Sequence, residues 1–219
     1  MREAGMPAGV TAGGRQPRFS GFDVLAQVDD WDPVTAGVVL ARMGPPPPIR
    51  FFTPNEEAIA QPLLDLLLDQ DEEPRVPVLR MIDSRLAERS TDGWRYEDLP
   101  EDGQAWRDTL AALDEDARDT HGVGFARCDG AARHNLVQAV QDLGSTPWHG
   151  LSASRVWSLW TRYACTAFYS HPFAWNEIGF SGPAYPRGYK NAGVGRREPW
   201  EVPDREDLDP VTAPPGAGR

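Results

Sequence analysis

Histidine, cysteine and carboxylate side chains carry much of protein chemistry, and their spacing here limits what this chain can do. The four histidines, His121, His134, His149 and His171, stand apart. Helix-borne metal sites place ligands three or four residues apart, and none of these has such a partner. Cys128 and Cys165 form no CxxC pair, which is too little for a metal site or a disulfide scaffold and reads as two free thiols. There is no GxSxG elbow, no Walker loop and no GxGxxG after a strand. Carboxylates are plentiful, yet none falls in an apolar setting that would tune it for acid–base work. One constellation stays open as a small stand-alone hydrolase or oxidoreductase site: His171, Glu177 and Tyr185. A histidine and a carboxylate six residues apart in a Pro-interrupted loop can meet.

The unusual feature is the company these three keep. From Phe173 to Trp200 the chain carries six aromatic residues in a stretch rich in glycine and proline. That composition predicts neither helix nor strand, and a solvated loop does not carry such an apolar load. The rings are covered either by their own domain or by a partner protein, because Trp, Tyr and Arg on a stiff loop are typical interface anchors. Gly179, Gly182 and Gly188 permit sharp turns, and Pro183 and Pro186 stiffen them. The interface candidates are Trp175, Glu177, Ile178, Phe180, Tyr185, Pro186, Tyr189 and Trp200.

The elements that must position this run lie upstream. Glycine and proline concentrate in residues 1–50 and 170–219, so regular structure is expected between 51 and 169. Thr53-Pro54-Asn55-Glu56 is a capping box, followed by Ile59, Leu63, Leu66 and Leu67 on one helical face, with Pro62 expected to kink it. A second helix is expected over 74–89. A third follows Pro100, with Trp106, Leu110, Leu113 and Ala117 inward. A fourth starts at the N-cap Asp129 and ends at Gly144. The fifth, capped by Ser152, carries Val156, Leu159, Trp160, Tyr163, Ala164, Ala167 and Phe168, the widest apolar stripe in the chain. No long alternation of period two appears over 51–169. The fold expected is all-α: a compact bundle of about five helices over 51–200, after a flexible segment 1–50 with a polyproline spacer at 45–48, and before a disordered tail, 201–219.

Charge and hydropathy exclude other classes. The net charge is −11, and the acidic excess sits between residues 51 and 120. That balance disfavours nucleic acid and anionic lipid surfaces as partners. No apolar run reaches the length of a membrane span.

The run FYSHPFAWNEIGFSGPAYPRGY (168–189), preceded by FFTPNEEAIAQPLLDLLL (51–68), resembles the gluconate 2-dehydrogenase subunit 3 family. The likeness covers about residues 50–200, and the aromatic run is its specific end. It implies a small, non-catalytic subunit that aids the folding, cofactor loading and export of a large partner. That partner would be a flavoprotein of the glucose–methanol–choline oxidoreductase type, carrying FAD and oxidising sugar or sugar-acid alcohols. This chain would then hold no cofactor and no metal. In many such complexes a cytochrome c takes up the electrons. Many members begin with a twin-arginine signal that cannot be read here, which points to a cytoplasmic complex. A structural protein with no flavoprotein partner is the bland alternative.

Overall fold

A computed structural model of the chain describes residues 9–15, 18–19, 21–191, 193 and 196–203. Its helices are α1 (Pro33–Ala41), α2 (Pro54–Leu68), α3 (Val78–Ala87), α4 (Asp102–His121), α5 (Gly130–Asp142), α6 (Ala153–Phe168) and α7 (Pro172–Ile178). Two short strands, β1 (Pro147–Trp148) and β2 (Leu151–Ser152), form an antiparallel hairpin in front of α6. Apart from that hairpin, the regular elements of the described residues are all helical.

Helices α2 to α6 are the five the sequence announces. Thr53 and Glu56 close the capping box of α2: Thr53 Oγ1 accepts from the Glu56 amide, and Glu56 Oε2 accepts from the Thr53 amide at 2.7 Å. The helix runs unbroken past Pro62 to Leu68. Helix α3 starts four residues later than Pro74. Gln70 holds Val76 extended, accepting from its amide at 2.7 Å, and Pro77 disfavours helical backbone in the residue before it. Asp129 caps α5 by accepting from the Ala132 amide. Ser152 does not cap α6; its hydroxyl meets that of Ser154 instead.

The five helices bury one large core. Trp106, Leu110 and Leu113 of α4 and Leu159, Trp160 and Tyr163 of α6 lie at its centre, with Ile59, Leu63 and Leu64 of α2 and Ile82 of α3. The indole of Trp160 donates to Thr109 at 3.0 Å, so a large ring is buried without an orphaned N–H. Asp83 is fully buried on α3, and its carboxylate accepts from the amides of Arg50, Phe51 and Phe52, fixing the entry to α2. Cys128 and Cys165 are both free thiols, the first buried and the second exposed.

A second, smaller core lies outside the bundle, in residues that composition assigned to a flexible segment and an irregular loop. Val24, Trp31, Val39 and Trp175 are its buried members, with Phe22, Leu25, Val28 and Ala36 packed around them. Residues Val24–Asp30 form a 3-10 turn capped by Asp23. Helix α1 follows, with Asp32 as N-cap and Pro33 in its first turn. Residues 45–50 then carry no regular element and lead to α2. Helix α7 forms where the Gly/Pro content argued against any helix: Pro172 sits in its first turn, Gly179 ends it in the left-handed region, and neither interrupts the interior. Thr11 and Ala12, within the segment expected to be flexible, are both buried. Residues 1–8 and 204–219, most of the expected tail, lie outside the described part.

Candidate functional site

The aromatic segment is built on α7. His171 caps this helix, its Nδ1 accepting from the Phe173 amide at 3.2 Å and its Nε2 donating to the Arg42 carbonyl at 3.0 Å. Trp175 turns inward and donates to the Tyr169 carbonyl at 2.6 Å, with the Arg42 guanidinium over its ring. Asn176 links the layer to residues far upstream: its Oδ1 accepts from the Val24 amide at 2.8 Å and its Nδ2 donates to the Val10 carbonyl at 2.9 Å. Glu177 pairs with Arg15 at 2.6 Å, and Arg15 also donates to the Leu68 and Asp69 carbonyls at the end of α2. The small layer is thereby fastened to the bundle.

Beyond α7 the chain folds back on the same layer. Gly182 has φ +77°, and a Cβ there would meet the Trp31 ring at 2.4 Å, so both the turn and the close approach require glycine. Arg187 donates to Gln27 Oε1 at 2.7 Å and to the Ser181 carbonyl at 3.1 Å, and lies over the Trp200 ring. Ser181 donates to the Trp200 carbonyl at 2.6 Å. A cleft of about 550 Å³ opens between residues 179–182 and 196–202.

This framework sorts the eight interface candidates. Trp175 is buried and Glu177 is held in its ion pair, so both support the layer rather than face outward. Trp200 is half-buried between Arg187 and Tyr189. Ile178, Phe180, Tyr185, Pro186 and Tyr189 are exposed, Tyr185 at 68%. Phe180 stands edge-on against Trp175, with ring centroids 5.4 Å apart, so an exposed ring rests on a buried one. Sequence reading missed a further apolar contribution: Val34 and Val38 on α1 are exposed and lie one turn apart. The Asp32-Pro33 pair is the local signal that would have found that helix.

His171, Glu177 and Tyr185 are not assembled into a catalytic group. Both ring nitrogens of His171 are engaged by backbone, and Glu177 turns to Arg15. Burial, with the nearby Arg42 charge, pulls the His171 pKa down to about 4, so the ring is neutral and already spoken for. No group of three or more His, Cys, Asp or Glu suited to a metal ion occurs among the described residues.

A family model for gluconate 2-dehydrogenase subunit 3 matches residues 54–182. The chain belongs to that family. The match runs from the first turn of α2 through α7 to Gly182 and so includes Trp175, Glu177, Ile178 and Phe180. Helix α1, Tyr185, Pro186, Tyr189 and Trp200 lie outside it. No curated protein and no solved structure matches the chain. The family takes its name from one subunit of gluconate 2-dehydrogenase, which places this subunit 3 chain among the components of an oxidoreductase complex. No helix among its described residues is long and apolar enough to cross a membrane.

Proposed function

We propose that this chain is the non-catalytic accessory subunit of an FAD-dependent dehydrogenase, binding and stabilising a large flavoprotein subunit of the glucose–methanol–choline type. FAD and the oxidation of a sugar or sugar acid belong to that partner. If a cytochrome c completes the complex, it takes its electrons from the flavoprotein. The observation that carries this reading is the exposed apolar edge formed by Ile178, Phe180, Tyr185 and Tyr189, backed by a braced layer. Half-exposed aromatics on a fixed backbone lose little entropy on docking and serve as anchors. Val34 and Val38 add apolar surface from the same layer.

The test is co-expression with the flavoprotein and capture through a tag on this chain. The flavoprotein should co-purify with its FAD, and the chain purified alone should be colourless. Flavin absorbance that stays with the lone chain through gel filtration would overturn the accessory role. Failure of the flavoprotein to co-purify would remove the partner assigned here.

A further inference from the structure

The apolar edge carries a charged rim of the sign that the rest of the molecule lacks. The chain has 33 acidic residues against 22 lysines and arginines. Yet Lys190, Arg196 and Arg197 are all exposed beside this edge, and none of them forms an ion pair among the described residues. Arg196 and Arg197 line the cleft together with Phe180, Tyr189 and Trp200, so cations and aromatic anchors share one surface.

The carboxylates of the same stretch are turned to other tasks. Glu177 pairs with Arg15. Glu198 is 3% exposed and accepts from the backbone amides of Lys190 and Asn191. Glu201 Oε2 accepts from the Glu198 amide at 2.6 Å. The fourth cation, Arg187, is spent inside the layer: it donates to Gln27, lies over the Trp200 ring and stands 3.7 Å from Asp30. Three cations are left facing outward.

In water, exposed cations need no partner. Docking changes that, because whatever covers Phe180 and Tyr189 also takes water from the arginines in the same cleft. A charge removed from water is costly unless an opposite charge replaces the solvent. A second copy of the chain does not supply one across a two-fold axis, since that symmetry sets the same three cations against themselves. We propose that the flavoprotein surface meeting this edge is acidic, its carboxylates pairing with Lys190, Arg196 and Arg197 around the aromatic anchors. The inference rests on the accessory role argued above and adds the charge of the partner's face.

The test measures binding of the co-expressed flavoprotein to the full chain by surface plasmon resonance. Sodium chloride is raised from about 50 to about 500 mM, which shortens the screening length from about 14 to about 4 Å. Affinity should fall by about tenfold or more, chiefly through slower association. At low salt, Arg196→Glu combined with Arg197→Glu should weaken binding by at least about tenfold and flatten the salt dependence. Both positions are exposed, so the melting temperature should not move. Arg89→Glu with Arg127→Glu makes the same change in net charge at exposed positions outside the edge, and should cost less than about threefold. Salt-independent binding that the Arg196 and Arg197 reversals leave intact would overturn the acidic face while the accessory role stands. An equal loss in the Arg89 and Arg127 variant would assign the effect to net charge and overturn the rim. Salt-sensitive dimers of the lone chain in sedimentation would set the chain's own acidic residues opposite the rim, and overturn it too. No binding at either salt would remove the accessory role, and this inference with it.

Discussion

Asp83 shows how much one side chain can organise. Its carboxylate is wholly buried and accepts from three consecutive amides at 2.7, 2.9 and 2.8 Å. Removing it orphans the buried Phe52 amide, at about 1–3 kcal/mol, and takes the acceptor from the part-buried amides of Arg50 and Phe51. Asp83→Ala should therefore lower stability by about 1–3 kcal/mol in urea denaturation, and Asp83→Asn by less; a change under about 1 kcal/mol would show that water replaces the carboxylate. His171 makes the opposite demand, since it must stay neutral. Its folded value of about 4 lies below the ordinary 6.5, so between them the unfolded chain binds the proton more readily. Stability is then full above pH 6.5 and is lost as pH falls toward 4, by up to about 3 kcal/mol at about 1.4 kcal/mol per unit. Urea midpoints measured at pH 7 and pH 4.5 should differ less in His171→Asn than in the parent. An equal difference would assign the acid sensitivity to other groups.

Among the elements, α2 is the one whose sequence and structure agree most closely, and its start is the place to test that agreement. Glu56 both completes the capping box and accepts from Arg107 of α4 at 2.7 and 2.8 Å, so one carboxylate joins the helix start to a neighbouring helix. Thr53→Ala should cost about 1 kcal/mol, a usual value for losing an N-cap. Glu56→Ala should cost more, because it breaks the α4 link as well; equal losses in thermal or urea melts would reduce Glu56 to a cap. Helices α2, α4, α5 and α6 were legible because caps and apolar stripes point the same way. The start of α3 was misplaced because the Gln70–Val76 contact, which keeps the chain extended, is tertiary. Helices α1 and α7 were hidden for a shared reason. Each is short and stands among glycines and prolines, and their apolar residues are divided: Val39 and Ala36 of α1 share the small core with Trp175, while Phe173 and Ala174 of α7 pack on the bundle. A stripe read along one helix does not reveal a core divided between two. The aromatic run was recognisable as unusual, but the burial of Trp175 beneath an exposed Phe180 depends on residues 24–39. The sequence alone could not pair those two stretches. The Tyr163–Asp102 hydrogen bond left no local pattern, since the two residues meet only when α4 lies beside α6.

At the scale of the whole molecule the described residues form two cores of unequal size, and substitutions in the smaller one should separate folding from assembly. Tyr185 is largely exposed, so Tyr185→Ala should leave the melting temperature unchanged while weakening flavoprotein capture by about 1–4 kcal/mol, the hot-spot range. Trp175→Ala should lower stability by about 3–5 kcal/mol, as for other buried aromatic truncations, and weaken capture only as a result. Stability lost at Tyr185, or kept at Trp175, would reverse the two roles. The smaller core also joins parts of the chain that are made at different times. Val24, Trp31 and Val39 leave the ribosome about 150 residues before Trp175 and Asn176, a wait of roughly 8–30 s at about 5–20 residues per second. Meanwhile the bundle can form, but the smaller core still lacks Trp175, so Val24, Trp31 and Val39 are without their last buried neighbour. A message broken before codon 172 yields a bundle whose early segment stays unfinished. Only a chain made past α7 puts Trp175 behind Phe180, so the layer that would greet the flavoprotein also certifies that translation passed that helix.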